Sequence, residues 1–139
     1  MILKEFRIEH STLIEHYQFI EAHLEGIYAA ISGKSFSEGV KEVEKGSLSS
    51  VVREIRGIEK EKKIRVLTDE EYKQLAQIIE RRNFWCHCCY FEMSFDLQTG
   101  GPAKVRDVHQ MFDDMKVAKQ WRDLLFDRKI SLLKAKAQQ

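Results

Sequence analysis

The chain has 139 residues, 43% of them hydrophobic and 32% charged, with one proline and seven glycines. That length forms one domain, residues 1–139, with a self-sufficient core, and so few turn formers exclude a many-turned all-β fold. The 23 basic and 22 acidic side chains leave a net charge of +1, which excludes a global basic field for nucleic acid and an acidic disordered tail.

Charge is uneven along the chain. Residues 1–32 carry two basic and five acidic side chains, whereas residues 103–139 carry nine basic and five acidic. A solvated helix face and a basic edge both fit that pattern. The three cysteines, Cys86, Cys88 and Cys89, are too close together and odd in number to make a disulfide framework, as expected of a reducing compartment. No signal peptide is expected at Met1–Arg7, and no run approaches the about 18 apolar residues of a membrane span. A cytoplasmic protein without membrane contact is the expectation.

Leu3, Phe6, His10, Leu13, Tyr17, Ile20, Leu24, Ile27 and Ile31 recur at alternating steps of three and four. This predicts a long first helix of about 40 Å with an apolar seam, ending near Gly33. His10 falls on the seam as a hydrogen-bonded core or interface residue, while His16 and His23 fall on one solvated face. Residues 34–47 predict a short helix or turn, and Ser47 or Ser49 can cap a third helix bearing Leu48, Val51, Val52, Ile55 and Ile58. Its charged exit, Glu59 to Lys63, reads as solvated.

Thr68-Asp69-Glu70-Glu71 is a capping box that opens a helix from about 69 to about 96. Thr99-Gly100-Gly101-Pro102 is a loop, and a last helix follows whose pattern breaks near Lys119–Arg122. The expected architecture is an all-α, up-down helical bundle of four to five helices, three of them long.

On the third long helix the heptad-spaced seam runs Tyr72, Leu75, Ile79, Arg82, Cys86, Cys89, Met93, which puts an arginine where a core residue is expected. Asn83 and His87 share a neighbouring face with Ala76, Glu80 and Tyr90. On a straight helix Arg82 and His87 diverge by roughly 140°, so a bend or a second subunit is needed to bring both to one ligand. Guanidinium grips phosphate oxygens in a planar fork. Histidine exchanges protons near neutral pH. Arg82 and His87 are therefore the candidate catalytic pair for cleaving a phosphodiester without a metal, with Arg81, Asn83 and Tyr90 as candidate substrate-binding residues.

The segment Arg82-Asn83-Phe84-Trp85-Cys86-His87 resembles the arginine, polar residue, variable residues, histidine signature of the HEPN superfamily. Flanking Ile78-Ile79 and Tyr90-Phe91 fit the family's surroundings. The resemblance implies a small all-α fold over most of the chain, although the motif itself covers six residues. It also implies a metal-independent ribonuclease acting at Arg82 and His87, a homodimer with the site in its groove, RNA as substrate, and a toxin or defence context with an antitoxin-type protein partner. Toxins of this superfamily often carry a tyrosine two residues after the histidine, where this chain has Cys89. Other readings stand beside it: Arg82 in an ion pair with Glu80 or an acid of another helix, His87 on a helix surface, or a non-catalytic bundle that associates with proteins or binds a nucleotide or phosphorylated ligand.

No metal and no cofactor are expected. Consecutive helical residues diverge by about 100°, so Cys86, His87, Cys88 and Cys89 cannot enclose one tetrahedral ion, and the cysteines read as packing residues. The histidines lack the Glu-x-x-His pairs of di-iron bundles. No Gly-rich phosphate loop, nucleophile elbow or pair of catalytic carboxylates is present.

Overall fold

The apolar seam of the first helix becomes the axis of the molecule. In the computed structural model, which describes residues 1–139, α1 spans Leu3–Ile31, and Phe6, Leu13, Tyr17, Ile20, Leu24, Ile27 and Ile31 are all buried. Toward its end the burial closes all round, through Gly26, Tyr28, Ala29 and Ala30, because other helices cover it from several sides.

Four further helical runs complete an all-α up-down bundle: α2 (Phe36–Val43), α3 (Leu48–Lys62), the run 69–92, and α6 (Val105–Ala137). The run 69–92 comprises α4 (Asp69–Asn83), a π turn (Phe84–Cys88) and α5 (Cys89–Glu92). Three of the five runs are long, as expected. No helix is long and apolar enough to cross a membrane.

Local chemistry explains each boundary. Gly33 takes a left-handed φ of 80° just after α1, a conformation that costs glycine little. The carbonyls left open at that helix end draw cations, Lys62 donating to the Ile31 carbonyl at 2.7 Å and Lys136 to that of Ala29; Lys136 also donates to the Lys34 carbonyl in the link that follows. Ser35 and Ser47 cap α2 and α3 by accepting from the Glu38 and Ser50 amides. The box before α4 is reciprocal, Thr68 Oγ1 accepting from Glu71 N at 3.0 Å and Glu71 Oε1 from Thr68 N at 2.9 Å. Arg128 of α6 binds both Glu71 oxygens and the Val66 carbonyl, which fastens α6 to this corner.

Several expectations are corrected. The run from 69 ends at Glu92 rather than near 96, because residues 93–104 fold into a tight turn in which Phe95 pairs with Pro102 and Asp96 accepts from the Gln98 and Thr99 amides. α6 is unbroken through residues 119–122, with Trp121 buried at its middle. Glu59 is not a solvated exit residue. It accepts from the Val66 and Leu67 amides and, at 2.6 Å, from the Tyr72 hydroxyl. His23 is buried between Phe19 and Phe126, not solvated.

The third long run also buries a different stripe. Tyr72, Leu75, Ile78, Trp85, Cys89 and Met93 face the core, so Ile78 and Trp85 take the places expected of Ile79 and Cys86. The shift buries an indole in place of a thiol and moves the Arg82 charge to the edge, avoiding the desolvation of an arginine in the core.

Candidate functional site

The wide turn lies inside the Arg82–His87 interval. The Cys89 amide donates to the Phe84 carbonyl, five residues back, so one extra residue is looped into this turn. That leaves the Trp85 carbonyl without its helical partner. His10 Nε2 donates to it at 2.8 Å from α1, and the Cys89 thiol donates at 3.4 Å. This fixes the proton of His10 on Nε2. The His10 ring in turn stacks on Phe6 at 5.6 Å. A turn with an extra residue rotates less per residue, so Arg82 and His87 diverge by less than they would on a straight α-helix.

The predicted residues divide among three directions. Arg82 leans toward α1, where its Nη2 donates to Glu21 Oε2 at 3.1 Å; its Nη1 donates to Asn83 Oδ1, also at 3.1 Å. Glu21 is thus the acid of another helix anticipated for this arginine. Asn83 is exposed and, with Ala76 and Glu80, lines a groove facing Arg56 of α3. His87 is exposed and has no hydrogen-bond partner within the chain. Cys86 sits near the Arg82–Glu21 pair, and burial pushes its thiol up, away from thiolate chemistry. Burial likewise raises the Cys89 thiol to about 11.

Arg81 turns the opposite way from Arg82. Its Nε donates to Asp114 Oδ2 of α6 at 2.7 Å, and its guanidinium lies over the Phe84 ring at 4.8 Å. Tyr90 lies apart from both arginines: it stacks on Phe95 at 5.6 Å and meets the His10 ring edge-on at 5.6 Å. The structure therefore brings Arg82 and Asn83 into contact, leaves His87 open to solvent, and places Arg81 and Tyr90 on other surfaces. No group of three or more His, Cys, Asp or Glu side chains is arranged to hold a metal ion.

Asp114 was not among the residues singled out from the sequence. It is 9% exposed and accepts from Arg81 Nε and Trp85 Nε1, each at 2.7 Å, and from Gln110 Nε2 at 2.8 Å. Its signal was present in the chain: Met111, Asp114, Ala118, Trp121 and Leu125 form the buried stripe of α6, with an acid on the seam. Beside it opens a cavity of about 410 Å³ lined by Tyr17, Gln74, Gln77 and Arg81 among others. On the far side of α1, Lys129 Nζ donates to His23 Nδ1 at 3.0 Å. Burial, then the Lys129 and Arg122 charges, push His23 down to about 4. No family model matches this chain, and no curated protein and no solved structure is significantly similar to it.

Proposed function

We propose that this protein is a metal-independent endoribonuclease of the HEPN type, acting through Arg82 and His87 in the groove of a homodimer. The observation that carries the reading is the π turn inside the motif, a local distortion that narrows the angle between Arg82 and His87. Such turns recur at functional sites because they re-aim side chains. His87 is exposed and unpartnered, which leaves its ring free for substrate. Arg82 spends one donor on Glu21 and one on Asn83, and a guanidinium has five, so donors remain for a phosphate.

In this reading Arg82 binds a non-bridging phosphate oxygen and neutralises charge that builds up at phosphorus. His87 takes the proton from the 2′-hydroxyl, the 2′-oxygen bonds to phosphorus, and the bond to the 5′-oxygen breaks. That oxygen leaves with a proton from His87 of a second copy, giving a 2′,3′-cyclic phosphate and a 5′-hydroxyl. Asn83 holds the guanidinium toward the groove. The exposed apolar side chains Ile8, Phe91 and Leu97 favour association, and they equally suit a non-catalytic bundle that works through protein contacts.

Cleavage of a single-stranded RNA in excess EDTA separates the two. The wild-type chain is expected to yield cyclic-phosphate ends, and His87→Ala to lose about 10²–10⁴-fold in rate with an unchanged circular dichroism spectrum. Equal rates for both proteins, or no cleavage by either, sink the nuclease and leave the association reading. Growth arrest of bacteria by the wild-type chain but not the variant would add the toxin context.

A further inference from the structure

We propose that the cavity between α1, α4 and α6 is a binding pocket for a neutral, carbonyl-bearing nucleobase. It is separate from the Arg82–His87 motif and rests on the ribonuclease reading only for the source of the base.

The first observation is the Tyr17 hydroxyl. Tyr17 is 2% exposed and lines the cavity, yet its hydroxyl has no hydrogen-bond partner in the chain. No fully enclosed polar side-chain atom in the molecule lacks a partner, so this hydroxyl must open onto the cavity. Burial, reinforced by the Asp114 carboxylate, keeps the phenol protonated. An almost fully buried side chain thus presents its O–H donor at the cavity wall, uncommitted within the chain and available to a ligand.

The second observation is the balance of charge. Arg81 uses its Nε on Asp114, while its two terminal nitrogens have no partner in the chain. Asp114 is itself filled by three donors. The ion pair therefore cancels its own charge, and an anionic ligand would add an unbalanced negative charge beside Asp114. A neutral ligand would not. The remaining polar groups on the wall are the amides of Gln74, Gln77 and Gln120, each with a donor and an acceptor and none engaged within the chain. The Tyr17 hydroxyl and the unpaired Arg81 nitrogens are donors, which suit a carbonyl oxygen, and bifunctional amides complement the alternating donors and acceptors of a base edge.

The third is shape. Ile78, Val117 and Trp121 supply apolar wall against which a flat ring can pack. A volume of about 410 Å³ lies at the small end of ligand sites and suits a base with its ribose rather than an oligonucleotide. A base unstacked from single-stranded RNA meets these requirements.

Calorimetric titration of the full chain with uridine, guanosine, adenosine and ribose 5-phosphate tests the assignment. Uridine or guanosine is expected to bind at least about tenfold more tightly than ribose 5-phosphate, with adenosine between them for want of a carbonyl. Tyr17→Phe, which removes only the hydroxyl, is expected to weaken uridine or guanosine binding by about 3- to 10-fold. Gln77→Leu, at an exposed position that does not threaten folding, is expected to do the same. Equal binding of all four probes, no binding, or wild-type affinity in both variants overturns the pocket. Nucleoside binding by a protein that cleaves no RNA keeps the pocket and removes the nuclease. Cleavage that depends on His87 without nucleoside binding keeps the nuclease and removes the pocket.

Discussion

Histidine does three different jobs in this chain, and the difference is set by what each ring touches. His10 completes the backbone of another element by donating to the Trp85 carbonyl. Replacing it with phenylalanine keeps the stacking on Phe6 and removes the donor, leaving that carbonyl with only a weak thiol partner. The expected cost is about 1–3 kcal/mol, read from the midpoint of urea unfolding at constant slope; an unchanged midpoint would show that the bond is dispensable. His23 is held neutral by burial and by Lys129 and Arg122, with its pKa lowered to about 4 from 6.5. Between those values the unfolded chain binds more protons than the folded one, so this group's stability contribution is complete above pH 6.5 and is lost as pH falls toward 4. The total is up to about 3 kcal/mol. His23→Gln is expected to lose less stability than wild type between pH 7 and pH 5 in matched urea titrations, and parallel curves would refute it. His87 is exposed, as His109 is, and makes no hydrogen bond within the chain; the proposed ribonuclease assigns its ring the proton transfer.

At the scale of elements, the π turn and the α4–α6 junction are coupled through Trp85. The indole lies within the wide turn and donates to Asp114, which also receives Arg81. Asp114→Ala removes the acceptor for both and is expected to cost about 2–4 kcal/mol, somewhat below a fully buried pair because Arg81 is partly exposed. Asp114→Asn, which keeps an acceptor oxygen, is expected to recover part of that loss in thermal unfolding. The α1–α2 crossing depends on a missing side chain: a Cβ on Gly39 would lie 2.7 Å from the Ala29 Cα. Gly39→Ala is therefore expected to destabilise by about 1–3 kcal/mol, although alanine favours helix; a raised melting temperature would mean that α2 yields freely. Helix propensity and packing oppose each other here, and the backbone contact decides.

For the whole molecule, the ribonuclease reading requires two copies, since a single chain supplies one Arg82 and one His87. Sedimentation velocity at micromolar concentration is expected to show a dimer, and a strict monomer would leave the shared groove without its second half. Exposed Phe91, at 89%, and Leu97 give such an interface apolar area to cover.

Five helical runs, the capping box at Thr68, the cap at Ser47 and the seam of α1 were all legible in the chain, because each rests on local spacing or on side chains a few residues apart. The identity of Arg82, Asn83 and His87 as the group to watch came from the sequence as well. Their disposition did not. A heptad template assigns Arg82 to the core, yet the cost of desolvating a guanidinium and the gain from burying Trp85 rotate the run to another stripe. The π turn is accompanied by a contact between residues 75 positions apart, His10 and Trp85, which no local pattern contains. Tyr17, Asp114 and Arg81 come from three helices and meet only when those helices pack. Short-range periodicity thus determined which elements form and where they begin. Long-range hydrogen bonding and the exclusion of charge from the core decided which faces those elements turn to one another, and so which polar groups share a pocket.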